Sequence, residues 1–170
     1  MKKLVLGFVF AVLAMSNLNA QGNFNAGVNL GLPIGDAGDG WTFNVTVDLS
    51  YLWEVSDGFD AGIATGFSHS FGDSETYDFG EGGSVTLDVD DVQFLPIAAA
   101  ARFNVSDKFG LGADLGYAIG INDGNDGGFY YAPRAYYSVS DSMDIVFAYR
   151  GVSLDGGSFD VLTLGVQFGL

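Results

Sequence analysis

The chain has 170 residues with six basic and 21 acidic side chains, and its formal net charge of −15 excludes nucleic acid as a partner. It has no cysteine, which excludes disulfides, thiolate metal sites and a cysteine-linked lipid anchor. No segment reaches the 18 consecutive apolar residues that predict a transmembrane helix.

Residues 1–20 have the pattern of a secretory signal peptide. Two lysines precede an apolar run from Leu4 to Ala14, which is too short to span a bilayer as a helix. A small residue, Ala20, ends the segment, so we predict cleavage there, with Ser16 as a competing site. One domain of residues 21–170 then remains, and loss of the two lysines moves the net charge from −15 to −17.

The clearest strand lies between Trp41 and Glu54, where apolar and polar residues alternate and only Leu52 interrupts the polar side. Successive residues of a strand point to opposite faces, so one face is apolar and the other polar. At a tilt of about 40° such a strand rises about 30 Å, the apolar thickness of a bilayer.

Two kinds of connection separate further alternating runs. One short turn pattern, Val-Ser-Asp followed after one residue by Phe or Met, occurs at 55–59, 105–109 and 139–143, whereas the other connections are longer and rich in Gly and Asp. The alternating runs predict eight strands, near 23–34, 41–54, 59–72, 92–104, 109–121, 129–139, 143–153 and 159–170. With both termini on the side of the short turns, this pattern predicts an all-β fold: an eight-stranded antiparallel up-and-down transmembrane β-barrel.

The apolar parity must face outward, because an eight-stranded barrel has too narrow an interior for so many aromatic rings. The alternative, a soluble lipocalin-like barrel, would have to hold them inside. Gly and Ala on the other parity suit a narrow lumen. We therefore predict membrane-interface aromatics at Trp41, Phe43, Tyr51, Trp53, Phe59 and Phe109.

Five charged residues within the predicted strands share the inward, even parity: Asp48, Arg102, Asp114, Arg134 and Arg150. A charge on the lipid face near the midplane would cost about 2–4 kcal/mol, so this segregation fits the barrel. We hypothesise that the five form an ion-pair network that fills the lumen. The alternative is a water-filled conduction pathway, and steady conductance would favour it.

Several short stretches of the chain resemble a known family. The stretches Phe94–Ile97, Arg102–Phe103, Lys108–Phe109 and Leu115–Tyr117 are similar to porin-like outer-membrane β-barrel domains of the Bacteroidetes type. The resemblance implies a Gram-negative outer-membrane protein, a monomer surrounded by lipid and lipopolysaccharide and inserted by the barrel-assembly machinery. Members usually end in an aromatic residue, whereas this chain ends in Leu170.

Catalysis finds little support in the sequence. The single histidine, His69, has the outward parity, whereas Ser68 and Ser70 point inward, so a base and a nucleophile would diverge. We therefore predict that the protein is not an enzyme and has no cofactor.

Thirteen carboxylates fall in or beside the longer connections, with no Lys or Arg next to them. They predict either a solvated acidic surface or one that binds Ca²⁺ or bridges to lipopolysaccharide through divalent ions. Within them, Asp123, Asn125 and Asp126 resemble part of a Ca²⁺ loop but lack its full spacing and distal Glu. The sequence thus predicts a plugged, surface-interacting barrel with an acidic end, with a small-solute porin-like channel as the alternative.

Overall fold

The computed structural model describes residues 22–78 and 83–170, in which alternating sequences form the strands of a closed barrel. The segment predicted as a signal peptide, 1–20, lies outside the described residues. The strands are β1 (Gly22–Ile34), β2 (Trp41–Ser56), β3 (Phe59–Gly72), β4 (Ser74–Asp78), β5 (Ser84–Asp88), β6 (Val92–Asn104), β7 (Phe109–Gly120), β8 (Gly128–Ser140), β9 (Met143–Leu154) and β10 (Gly157–Gly169).

Eight of these strands close in the order β1-β10-β9-β8-β7-β6-β3-β2, and every pair is antiparallel. The predicted eight-stranded antiparallel barrel is therefore confirmed. Each barrel-strand boundary lies within two residues of its predicted position. No helix within 22–78 or 83–170 is long and apolar enough to cross a bilayer.

The two ends of the barrel differ. We call one the short-turn end, because β2–β3, β6–β7 and β8–β9 connect there through brief turns. The other, the long-loop end, carries a 3-10 turn at Gly35–Asp39 and a separate hairpin in which β4 and β5 pair only with each other. Gly58, in the β2–β3 turn, has a φ of 73°, a conformation that a Cβ would disfavour.

Apolar side chains cover the outside of the barrel. Outward residues are odd-numbered in β2, β3 and β6–β9, as predicted, with Ile63 61% exposed. In β1 they are even-numbered, because the register sets Val28 opposite Val47 and cross-strand neighbours share a face. The same change occurs between β9 and β10, where Leu162 pairs with Tyr149.

The prediction that Trp41 belongs to the lipid-facing girdle is wrong. A register shift between Trp41 and Phe43 inserts one extra residue, so these two side chains no longer share a face. Trp41 instead meets the ring of the buried Phe159 edge-on at 5.1 Å, and its Nε1 donates to the carbonyl of Asp90 at 3.0 Å. Trp41 therefore packs into the mouth of the barrel at the long-loop end.

Candidate functional site

The lumen holds the five charged side chains that parity assigned to the interior: Asp48 on β2, Arg102 on β6, Asp114 on β7, Arg134 on β8 and Arg150 on β9. Small neighbours make room for them. Gly112 lies opposite both Arg102 and Arg134 in the strand register. A Cβ at Gly112 would lie 2.6 Å from Cδ of Arg102, so only glycine leaves space for that arginine.

These side chains form an alternating line of charges, here called the ion chain. Arg150 contacts Asp48 twice, with Nη1–Oδ1 at 3.0 Å and Nη2–Oδ2 at 2.5 Å. Arg134 joins the two acids, with Nη1 3.4 Å from Oδ2 of Asp48 and Nη2 paired with Oδ2 of Asp114. Arg102 is the last member of the ion chain, with its Nη1 2.7 Å from Oδ1 of Asp114. Three cations thus share two anions.

Neutral side chains complete the ion chain, and alternation did not predict Asn29 or Thr163 among them. Asn29 donates its Nδ2 to Oδ2 of Asp48 at 3.0 Å. Arg150 donates its Nε to the Thr163 hydroxyl at 3.1 Å and its Nη1 to the Tyr130 hydroxyl at 3.2 Å. Asn29 interrupts the apolar run of β1, and that single polar residue was the available signal for an inward side chain.

Above the ion chain, toward the long-loop end, the interior becomes apolar. Phe94, Tyr130 and Phe159 are each at most 5% exposed and pack with buried Ala and Val residues, and Trp41 packs against them. A polar patch on β2 and β3 lies beside this cluster, where Asn44 donates its Nδ2 to the hydroxyls of Ser68 and Ser70.

The space left in these two zones is small. A cavity of about 10 Å³ lies beside Asp48 and Asp114, and one of about 20 Å³ lies beside Phe94 and Phe159. Each has room for about one water molecule. At the short-turn end, by contrast, the lumen opens into a cavity of about 920 Å³.

This closed barrel has an apolar exterior and a charged interior, and its sequence matches a family model over residues 4–169, that of the outer membrane protein beta-barrel domain. The chain belongs to this family. The protein is therefore an outer-membrane β-barrel, with its exterior embedded in the lipid of that membrane. No curated protein sequence matches the chain.

Solved structures share this outer-membrane fold. Ail of Yersinia pestis in a phospholipid nanodisc has a TM-score of 0.56 at 14% identity, over 88% of this chain and 99% of Ail. Neisserial surface protein A has a TM-score of 0.51 at 13% identity, over 89% and 98% of the two chains. Ail with the heparin analogue sucrose octasulfate has a TM-score of 0.52 at 15% identity, over 88% and 97%. At these identities the likeness concerns the fold alone.

The other residues predicted as membrane-interface aromatics lie near the strand ends. Phe43 is 36% exposed and stacks on Phe71, with ring centroids 6.4 Å apart. At the short-turn end, Trp53 is 43% exposed and Phe109 is 40% exposed. Tyr51 lies 6.3 Å from Trp53 between ring centroids, and Phe59 begins β3 half-buried.

His69 lies on the outer surface of β3 near the long-loop end. Its Nε2 is 3.1 Å from Oδ2 of Asp91, and its ring meets Phe71 at 4.4 Å. Ser68 and Ser70 point into the lumen, where Asn44 donates to both hydroxyls. The histidine and the serines therefore lie on opposite faces of the sheet.

The three weak Ca²⁺ candidates lie in the β7–β8 loop. Asn125 uses its side chain within the protein: Nδ2 donates to the carbonyl of Gln93 at 2.9 Å, and Oδ1 accepts from the Gly127 amide at 3.1 Å. The carboxylates of Asp123 and Asp126 add only two acidic ligands. In the part of the chain that the structure describes, no group of three or more His, Cys, Asp or Glu residues could hold a metal ion.

Proposed function

We propose that this protein is a non-enzymatic outer-membrane barrel with a side-chain-plugged lumen, which stabilises the envelope and interacts with other molecules through its acidic long-loop end. The ion chain is the observation that carries this proposal. Its members reach across from β9 to β2 and back to β6, so that their side chains occupy the space a solute would need.

Energetics favour a plug over a channel. Asp114 is fully buried and Arg150 is 4% exposed, so both are removed from bulk water. Separating a buried ion pair leaves a charge without a partner, at a cost of about 3–5 kcal/mol. A solute crossing the lumen would have to separate several such pairs and the apolar cluster above them. We therefore expect no steady conductance.

The long-loop end is the surface that supports an interaction role. Its connections carry acidic residues and neither Lys nor Arg, so it attracts cations. We propose that divalent ions bridge this end to anionic lipopolysaccharide, or that a basic partner binds it. A polyanion like the heparin analogue found with Ail would be repelled here, so we do not expect the same ligand.

We expect a monomer of the Bacteroidetes type, exported by a cleaved signal peptide and inserted by the barrel-assembly machinery. The opposed directions of His69 and of Ser68 and Ser70 favour a role without catalysis or cofactor. Calorimetric titration with Ca²⁺ tests divalent binding, and absence of heat at millimolar Ca²⁺ would leave a basic partner as the surviving option.

Heat-modifiable gel migration together with planar-bilayer recording tests the plug. Protein refolded in detergent should shift between boiled and unboiled samples and should be silent in the bilayer. Asp48→Ala, which unpairs Arg150 and leaves Arg134 with Asp114 alone, should give transient openings, whereas Asp155→Ala in the β9–β10 turn should not. Steady conductance of the wild-type barrel would make it a porin-like channel and overturn the plug.

A further inference from the structure

The β4–β5 hairpin gives the long-loop end a strand edge that the barrel leaves unpaired. Within the described residues, β5 pairs only with β4, whereas each strand of the closed barrel has two neighbours. All five residues of β5 are exposed, so both faces of that strand are open to solvent. The backbone N–H and C=O groups along the outer edge of such a strand can pair with an added strand.

The base of the hairpin is fixed to the barrel, which gives this edge a defined position. The Asp73 amide donates to the carbonyl of Gly40 at 3.0 Å, and the Val89 amide donates to the carbonyl of Asp73 at 2.9 Å. Trp41, packed in the mouth of the barrel, donates its Nε1 to the carbonyl of Asp90 at 3.0 Å. A strand that is held in place before binding loses less conformational entropy when a partner binds.

The side chains of β5 define the kind of strand that fits beside it. Val85 and Leu87 share one face and are 51% and 58% exposed, whereas Asp88 belongs to the opposite face. Neighbouring residues on the same face of a sheet contact each other across the strands. The first face therefore favours Val or Leu at alternate positions of an added strand, and the second favours Lys or Arg at the positions between them.

The charge of the hairpin decides between possible occupants of this edge. Residues 73–91 include seven acidic residues and neither Lys nor Arg. A second copy of the chain would bring two such acidic hairpins edge to edge, and like charges on adjacent strands are destabilising. A basic strand has the complementary charge. The same carboxylates that oppose self-pairing therefore attract a basic partner.

We propose that the outer edge of β5 binds an extended segment of a partner protein in which Lys or Arg alternate with apolar residues. The segment adds a third strand to the hairpin through backbone hydrogen bonds. Its apolar side chains contact Val85 and Leu87, and a basic side chain pairs with Asp88. This edge is then the binding site for the interaction role proposed above for the long-loop end, on which the assignment rests.

Solvent exchange of backbone amides, measured by NMR on isotope-labelled protein refolded in detergent, tests strand addition. The probe is the peptide Lys-Val-Lys-Val-Lys-Val at low ionic strength. Saturable binding at about 1 mM peptide or below should slow exchange at every second amide of β5, because one edge of a strand presents alternate N–H groups. The amide of Gly156, in the β9–β10 turn, should not change. Slowing without alternation would show charge attraction alone and would overturn the proposal.

Two matched peptides separate backbone pairing from charge. The first has the same sequence with an N-methyl group on every amide, which removes the backbone donors and keeps the side chains. The second, Glu-Val-Glu-Val-Glu-Val, keeps the alternation and reverses the charge. Each should bind roughly tenfold more weakly than the probe or worse. Equal binding of the N-methylated peptide would exclude an added strand.

Matched substitutions in the protein locate the site. Leu87→Ser removes apolar contact, and Asp88→Asn removes the charge that pairs with a lysine, so each should weaken binding about twofold to fivefold. Asp155→Asn removes one charge at the same end of the barrel, away from the hairpin, and should not. Gel migration verifies that each barrel folds, and Asp88→Asn keeps the test decisive if Leu87→Ser disturbs the hairpin.

The outcome also separates this site from the broader interaction role. Absence of peptide binding, or equal binding by the wild type, Leu87→Ser and Asp88→Asn, would overturn strand addition at β5. If Ca²⁺ titration nevertheless produced heat, divalent bridging would remain as the interaction of the long-loop end. Absence of both peptide binding and Ca²⁺ heat would overturn the interaction role as well.

Discussion

Arg150 and Asp48 are 102 residues apart in the sequence and lie on strands separated by β10 and β1, yet they form a two-contact ion pair inside the barrel. The pair spans the lumen and does not run along its wall. Closure of the barrel is what brings them together, so this contact forms only when β1 and β10 have paired. The ion pair therefore belongs to the completely folded barrel.

Asp48→Asn should destabilise the barrel by about 3–5 kcal/mol, because it leaves Arg150 buried without its anion and deprives Arg134 of one of its two acids. Chemical denaturation of refolded protein, followed by the gel shift, measures the free energy of unfolding. Asp155→Asn makes the same chemical change in an exposed turn and should change that free energy by about 0.5 kcal/mol at most. Equal effects of the two substitutions would contradict a structural role for the ion chain.

On the outward face, the free-energy cost of introducing a charge should depend on its depth in the bilayer. Ile97, near the middle of β6, is 56% exposed to the surroundings of the barrel, and Val105, in the following turn, is 52% exposed. Ile97→Arg should cost about 2–4 kcal/mol because it places a charge near the bilayer midplane, whereas Val105→Arg should cost about 0–1 kcal/mol. Unfolding in lipid vesicles gives both values. Similar costs at the two positions would argue against a lipid-facing Ile97.

Much of this architecture could be predicted because a strand has a period of two. The even parity of the five lumen charges and the outward Ile63 both follow from alternation. The order of the ion chain could not be predicted, because it depends on the stagger of strands around a closed barrel. The inward direction of Asn29 was not predicted, because the outward parity changes between β1 and β2. No short turn pattern connects these two strands, so the sequence does not mark the change.

Trp41 shows how one inserted residue makes the face predicted from alternation wrong. The sequence alternates from Trp41 to Tyr51, but the shift before Phe43 sends the rings of Trp41 and Phe43 to opposite faces. Nothing in the alternation itself marks the bulge. The contacts of Trp41 with Asp90 and Phe159 are long-range, and their pairing becomes visible only in the folded barrel.

The two tryptophans should therefore respond differently to lipid. In vesicles that contain brominated lipid chains, Trp41→Phe leaves Trp53 as the sole emitter, and its exposed ring should be strongly quenched. Trp53→Phe leaves Trp41, which packs against Phe159 in the mouth of the barrel and should be little quenched. Fluorescence of each variant in brominated and ordinary lipid makes the comparison. Quenching of Trp41 as strong as that of Trp53 would restore Trp41 to the lipid-facing girdle.

Asp91 should keep the β4–β5 hairpin closed while contributing little to the stability of the barrel. Its Oδ1 accepts from the Gly72 amide at 3.0 Å, its Oδ2 lies 3.1 Å from Nε2 of His69, and its carbonyl accepts from Asn122 at 3.1 Å. The side chain is 49% exposed, so Asp91→Ala should lower the free energy of unfolding by only about 0–1 kcal/mol.

Local opening of β4 and β5 should nevertheless become more frequent, because the base of the hairpin loses its side-chain contacts with β3. Limited proteolysis and hydrogen exchange should both accelerate there in Asp91→Ala. Asp88→Ala, in the exposed strand β5, is the matched control and should leave both rates near those of the wild type. If the two variants accelerate equally, Asp91 does not hold the hairpin, and its contacts with His69 and Gly72 contribute no more than the exposed strand itself.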